Sequence, residues 1–538
     1  MCYNKSMENI KENSKNTTEY LSGDEQMQIK VELLEQEVEV LKAKVNWYEE
    51  QYRLSQQRRF GSSSEHTQVP EQISVFNEAE VEAKPELPEE TYEVIVNRRR
   101  KQKGDRDSKL DNLPVERVEY QISEEEQICQ CCGGQIHEMD KDIRRELKVI
   151  PAQVVVVEHV QSVYACRTCE KEGTSTPIIK APMPQPAIPF SLASSTAIAY
   201  VMSQKYVECM PLYRMQQNFA RMGIDLSRQT MANWIIQGAE RWLTYIYDRM
   251  HEIILLKDIL HCDETTLQVL HELERQATST SYMWLYRTGR YDVPIVLYEY
   301  QTTRASKHPA RFLEGFSGYI HADGYAGYNG LRNTEIVGCF AHARRKFDEA
   351  LKALPSEQRA KPTASKEGLD FCNKLFEIER DINDLCIEER YQIRLKRSRP
   401  VMDAFLAWLK YQTPRTLPKS ALGQAIQYCR NQWDKLECFL KDGRLEISNN
   451  RAERSIKPFV LSRKNFLFSN TPKGAKASAM VFSIVETAKE NGLNPFAYLT
   501  YLFDKLPNIN VKEQSELDKL LPWSESLPDI CKSQIKTN

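Results

Sequence analysis

Hydrophobic positions divide this chain into stretches of different period. From Met27 to Tyr52 the apolar residues fall at Met27, Val31, Leu34, Val38, Leu41, Val45, Tyr48 and Tyr52, alternating steps of four and three. Val at the a positions and Leu at d is the pattern of a parallel two-stranded coiled coil, so residues 1–64 are expected to form a homodimerisation region. A single amphipathic helix packed on its own chain is the alternative. Residues 65–110 are Glu- and Pro-rich, then basic at Arg98-Arg99-Arg100-Lys101, and read as a flexible linker. The run Val154 to Tyr164 has β character, Pro177 to Pro189 is a proline-dense connector, and Leu212 to Met222 and Arg228 to Glu240 are helical with Ser227 as an N-cap. That helix pair could read DNA or simply pack, and the region 177–250 is assigned to the connector and these helices. Trp234 and Trp242 are expected to fill core.

Beyond residue 250 the pattern changes again. An apolar run over 253–263 predicts a buried strand that delivers Asp263 at its end. Strand-like runs follow at Tyr282 to Arg287 and Val293 to Tyr300, then a helix at Lys307 to Leu313, then strands at Tyr319 to Asp323 and Glu335 to Cys339. The order strand, strand, strand, helix, strand, strand predicts an α/β, ribonuclease-H-like mixed sheet in a catalytic region 251–470. Residues 341–442 turn helical and read as a large α-helical insertion in that region. Ser448-Asn449-Asn450 offers capping for a helix bearing Glu453, and 471–538 reads as a C-terminal helical segment with a packed stripe at Ala477, Val481, Ile484 and Ala488, stopped by Gly492.

Composition narrows the chemistry. A chain of 538 residues leaves room for about three or four domains. A net charge of −2 argues against a polycation that coats nucleic acid indiscriminately, so DNA contacts would be local. No secretory leader pattern and no bilayer-spanning apolar run stand out, so a cytoplasmic, nucleoid-associated protein without a membrane partner is expected. Most of the fourteen cysteines are scattered singly, which suits reduced thiols. Two pairs differ: Cys129 with Cys132, and Cys166 with Cys169. Four thiolates on two short knuckles suit one structural zinc ion, and 111–176 reads as a small β-rich zinc ribbon. Cys131 competes within the first knuckle, and an incidental or redox pair is the alternative.

Three acids share unusual company: Asp263 in His261-Cys262-Asp263-Glu264-Thr265, Asp323 in His321-Ala322-Asp323-Gly324-Tyr325, and Glu453 in Asn449-Asn450-Arg451-Ala452-Glu453-Arg454. Clustered carboxylates repel unless cations neutralise them, and oxygen ligands suit Mg²⁺, with Mn²⁺ as a substitute. Two such ions clamp an in-line displacement at phosphorus. Glu264 is a rival carboxylate, although strand alternation turns it away from Asp263. Arg451, Arg454, Lys457, Arg463 and Lys464 form the densest cationic stretch and are DNA-phosphate candidates. His261, His342, Arg344, Arg345, Tyr325 and Tyr328 are read as packing or solvated groups rather than catalytic ones.

At these residues the chain resembles the large transposases (TnpC type) of the insertion-sequence sixty-six family, of the DDE class. The likeness extends to Phe60-Gly61-Ser62-Ser63-Ser64-Glu65, the cysteine pairs, Leu212-Tyr213-Arg214, Cys339 through Phe347, Arg463-Lys464-Asn465 and Leu521-Pro522-Trp523. The resemblance implies a DNA transposase that cuts transposon ends and joins the freed 3′-hydroxyl to target DNA. Asp263, Asp323 and Glu453 would be its metal-binding triad, and Cys129, Cys132, Cys166 and Cys169 its zinc ligands. Double-stranded DNA and small accessory proteins encoded by the same element would be its partners. The basic residue often found seven positions after the acidic helix residue in related integrases is Val460 here, and Lys457 and Arg463 are both open candidates for that phosphate-gripping role. A zinc-containing DNA-binding regulator, a ribonuclease-H-like nuclease without joining, and an inactive or domesticated transposase remain open at this point.

Overall fold

The computed structural model describes residues 178–533 continuously, residues 153–165, and separate positions between 27 and 55. Cys129, Cys132, Cys166 and Cys169 lie outside the described residues, as do the basic run at Arg98 and the linker around it.

A five-stranded mixed sheet forms the centre. Its strands are β1 (Ile259–Gln268), β2 (Thr280–Thr288), β3 (Val296–Gln301), β4 (Gly318–Ala322) and β5 (Thr334–Gly338). They lie side by side in the order β3-β2-β1-β4-β5. The first three are antiparallel neighbours, whereas β4 and β5 run parallel to β1. Parallel pairing needs a crossover, and a short helix (Lys307–Phe312) lies within the connection from β3 to β4.

One strand boundary differs from expectation. The apolar run beginning at residue 253 is shared between the end of a helix, Thr244–Ile254, and a strand that starts only at Ile259. Asp263 is therefore mid-strand rather than terminal, because the long antiparallel pairing with β2 carries β1 on to Gln268. Apolarity alone does not separate a helix end from a buried strand. Of the β-like run Val154 to Tyr164, the described part is paired only at Val163–Ala165, with Ile178–Lys180.

Alternation gives the sheet two faces. His261, Asp263, Leu285, Arg287 and Tyr298 share one, as the strand register requires. Against it lie α10 (Asn450–Phe466) and α11 (Pro472–Glu490), numbered after nine of the helices that precede them. Those are α1 (Ser195–Tyr206), α2 (Leu212–Arg221), α3 (Arg228–Gly238), α4 (Thr244–Ile254), α5 (Lys307–Phe312), α6 (Phe340–Lys352), α7 (Ala364–Asp381), α8 (Arg399–Gln412) and α9 (Ala421–Asn431). Arg287 bonds Glu490 at 2.6 Å, and Tyr298 donates to the carbonyl of Ser455, so β2 and β3 are each tied to this helical layer. On the opposite face Tyr286 stacks on Phe312 of α5, with ring centroids 3.8 Å apart.

Helices α1 to α4 extend the main core. Ser227 caps α3 through Thr230 N at 3.1 Å, and Met231, Trp234 and Ile235 bury its inner face. A π turn at Ala239–Leu243 joins α3 to α4 without a break. Trp242 donates to the carbonyl of Ala187 at 2.7 Å, holding the proline-dense connector. Between β5 and α10 the chain is helical, and α6, α7, α8 and α9 build a second core around Phe347, Phe405 and Leu409. In α11 the stripe Ala477, Val481, Ile484 and Ala488 is buried, and Gly492 follows at φ +71°.

The described positions between 27 and 55 are helical. Trp47 donates to the carbonyl of Lys419 at 3.2 Å, Glu50 accepts from Ala421 N at 2.6 Å, and Arg53 donates to the carbonyl of Ala353 at 2.6 Å. These contacts use the face opposite the seam of Val31, Leu34, Val38, Leu41, Val45 and Tyr48, whose members are 46–66% exposed.

Candidate metal and DNA site

The register of β1 and β4 sets the site. His261 pairs with His321, so the shared order His-x-Asp brings Asp263 and Asp323 alongside each other two residues later. The two imidazoles stack at 4.2 Å with planes 7° apart. Asp323 sits just past β4, where Gly324 at φ +94° turns the chain. Its Oδ1 accepts from Tyr325 N at 2.9 Å.

Glu453 arrives from the first turn of α10. Asn449 precedes that helix but does not cap it with its side chain. Instead, the fully buried Asn449 accepts through Oδ1 from His261 Nδ1 at 3.0 Å and donates through Nδ2 to the Cys262 carbonyl at 2.7 Å. Glu446 lies 2.9 Å from His261 Nε2 and pairs with Arg451 at 2.9 Å. Burial works against the Glu446 carboxylate, but His261 and Arg451 outweigh it and hold its pKa far below the ordinary range. The segment leading into α10 is thus fastened to β1, and the amide of Glu446 donates to His321 Nε2 on β4 at 3.4 Å.

Asp263, Asp323 and Glu453 line one cavity of about 280 Å³, together with His342, Asn449, Lys457 and Val460. Burial, then the charges of Glu264, Asp323 and Glu453, push the pKa of Asp263 well above the usual carboxylate range, against the hydrogen bond from Glu264 N. Glu264 borders the cavity, but its carboxylate is taken by Arg304 Nε at 2.7 Å and by the hydroxyl of Tyr328 at 2.6 Å. Tyr325 donates to the Arg304 carbonyl and lies under its guanidinium, so both tyrosines pack within the fold.

The cationic stretch separates into different surroundings. Lys457 reaches the cavity wall one turn after Glu453. Arg463 instead bonds Thr265 Oγ1 at 3.3 Å and the carbonyl of Thr266, on β1. Arg451 is engaged by Glu446, while Arg454 and Lys464 are exposed.

Comparison with known proteins supplies the context. Residues 191–477 match the family model described as "Transposase IS66 family". The chain belongs to the IS66 transposase family. Residues 483–523 match its "IS66 C-terminal element", 126–170 its "zinc-finger binding domain of transposase IS66", and 47–118 a leucine-zipper model described as "Transposase C of IS166 homeodomain". Two proteins of Sinorhizobium fredii (strain NBRC 101917 / NGR234), both named as uncharacterized, are similar. One, y4jD, is 31% identical over 76% of this chain and 80% of its own length. The other, y4hP, is 31% identical over 77% of this chain and 75% of its own.

For this IS66 member the zinc-finger match supports a structural Zn²⁺. The eight cysteines among the described residues are all free thiols. The cavity's donor set is suited to hard divalent cations, because it is oxygen-rich and holds a carboxyl whose pKa is raised by burial and by neighbouring carboxylates. Glu453 Oε1 is buried without a hydrogen-bond partner, a state that a cation would relieve. Among the described residues no helix is long and apolar enough to cross a membrane.

Sequence reading missed His342 and the role of Asn449. His342 enters the cavity from α6, with Nδ1 3.7 Å from Glu453 Oε1. Burial lowers its pKa, against the pull of Glu453. The spacing Cys339-x-x-His342 was the available signal. Only the packing of α6 against the start of α10 aims that imidazole at the acids.

Proposed function

We propose that this IS66 family protein is a DNA transposase of the DDE type, with Asp263, Asp323 and Glu453 as its metal-binding triad. The observation that carries the reading is the convergence of these acids, from β1, the end of β4 and the first turn of α10, on one cavity bearing a lysine. The sheet order β3-β2-β1-β4-β5, with β2 antiparallel and β4 and β5 parallel to β1, supports a ribonuclease-H-like core. A helical insertion at about 341–442 would lie within a catalytic region of 251–470.

Mg²⁺ or Mn²⁺ held by the triad would supply charge for the attacking and leaving oxygens of an in-line displacement. Asp263 and Asp323 fix the floor of the site through paired strands, and the Asn449 tether sets where Glu453 stands. Lys457 faces a backbone phosphate across the cavity. Water attacks the phosphodiester at the transposon end and leaves a free 3′-hydroxyl. That hydroxyl then attacks a target phosphodiester, expelling a new 3′-oxygen. Each bond formed replaces one broken, and no covalent protein intermediate is required.

The remaining parts fit assembly on DNA. Cys129, Cys132, Cys166 and Cys169 would hold the structural zinc of the 111–176 region. The apolar seam, turned away from the body, would pair two copies through residues 1–64, ahead of the linker at 65–110. The helices within 177–250 and Arg451, Arg454, Lys457, Arg463 and Lys464 are the DNA-contact candidates, with accessory proteins of the same element as further partners.

The test uses the full chain with labelled duplexes carrying the element's ends. Asp263→Asn should abolish Mg²⁺-dependent cleavage while leaving duplex binding within a few-fold. Unchanged cleavage would sink the triad. Cleavage by the native protein without joined donor–target products would make it a nuclease instead.

A further inference from the structure

Cys339 Sγ, a ring nitrogen of His342 and a carboxylate oxygen of Glu453 lie within 4.8 Å of one another. Their circumstances differ. Burial pushes the Cys339 thiol up to about 12, and its sulfur accepts the amide N–H of Asn449 at 3.1 Å. The sulfur therefore already has a structural partner at the start of α10.

His342 Nδ1 and Glu453 Oε1 remain. Both atoms are buried, and neither has a hydrogen-bond partner. Their separation of 3.7 Å is too long for a hydrogen bond. It falls within the span of two donors on one ion, since bonds of about 2.1 Å place adjacent ligand atoms about 3 Å apart and opposite ones about 4 Å apart. The other oxygen, Glu453 Oε2, is 3.7 Å from Arg345 Nη2, so the carboxylate is turned with Oε1 toward the histidine. Two buried polar atoms left unsatisfied carry an uncompensated desolvation penalty. A shared cation removes both penalties.

We propose that His342 is a fourth protein ligand of the metal centre, its Nδ1 binding the ion that Glu453 Oε1 binds. This rests on the triad reading and adds a nitrogen to an otherwise all-oxygen donor set. An imidazole changes the metal preference. Mg²⁺ favours oxygen and holds water tightly, whereas Mn²⁺ accepts imidazole more readily, so the site should discriminate toward Mn²⁺.

The decisive measurement is electron spin-echo envelope modulation of Mn²⁺ bound to the full-length protein. Wild type should show imidazole ¹⁴N modulation, and His342 is the one histidine among the described residues lining the cavity. His342→Gln, which keeps volume and offers an oxygen, should lose the modulation and weaken Mn²⁺ binding more than Mg²⁺ binding. Asp263→Asn should weaken binding of both ions. Mn²⁺ that binds in an Asp263-dependent manner without nitrogen modulation overturns the His342 assignment and leaves the triad standing. Mn²⁺ binding indifferent to Asp263→Asn would instead remove the triad reading itself. The wild-type spectrum alone can refute the assignment, so it does not depend on the variant folding.

Discussion

His261 Nδ1 and Asn449 Oδ1 meet at 3.0 Å across 188 residues of sequence, inside the protein. The bond joins the strand that carries Asp263 to the start of the helix that carries Glu453. Asn449→Ala removes it along with the bond to the Cys262 carbonyl, leaving a buried imidazole and a buried carbonyl short of a partner. The variant should lose about 1–3 kcal/mol of stability for each group stranded. Urea unfolding would show an earlier midpoint, and Mg²⁺-dependent end cleavage should fall even where the variant is fully folded. An unchanged midpoint would mean that the tether contributes nothing.

Asp263 gives a pH signature. Its pKa in the fold is raised by burial and by Glu264, Asp323 and Glu453, so the native state holds that proton more tightly than the unfolded chain. Its contribution to metal-free stability is complete below the ordinary Asp range near 4 and is lost as pH rises through the raised pKa. Glu264 is raised as well and acts with the same sign. Asp263→Asn should flatten the decline that sets in above about pH 4 in thermal melts, and added Mg²⁺ should restabilise only the native protein at the upper end of that decline. A steeper decline in the variant would contradict this account.

Lys457 and Arg463 should separate experimentally. Lys457→Ala should weaken duplex binding at any sequence and reduce the slope of log affinity against log salt by about 1. Arg463→Ala breaks bonds to Thr265 and Thr266, so its first effect should be on stability. Fluorescence anisotropy across a salt series, beside thermal melts, tells the two apart. Equal salt slopes for wild type and Lys457→Ala would remove Lys457 from the phosphate contact.

The seam predicts a change of mass. Leu34→Lys with Leu41→Lys places charges at two d positions and should convert a dimer to a monomer in multi-angle light scattering. The central sheet should be untouched, because the helix meets the body through Trp47, Glu50 and Arg53 on its other side. A dimer of undiminished stability would locate the interface elsewhere.

Periodicity made much of this molecule legible. The three strands, one helix and two strands around Asp263 and Asp323 appear in that order because buried strands leave short apolar runs between polar turns. Gly324 and Ser227 announced a turn and a cap because those conformations favour few residues. The start of β1 was misplaced because a helix end and a buried strand are equally apolar.

The sequence by itself determined which residues could do chemistry: two His-x-Asp tripeptides, a glutamate among asparagines and arginines, and two cysteine pairs. Tertiary structure decided which of them meet. The register of β1 with β4 aligns Asp263 with Asp323, and a helix arriving after the long helical segment adds Glu453. It also turned Asn449 from an expected cap into a cross-link, moved Arg463 onto the strand, and brought His342 to the cavity. Such contacts join residues sixty or more positions apart, and no local periodicity encodes them. They follow from the packing of whole elements, which fixes distances that the order of residues leaves free.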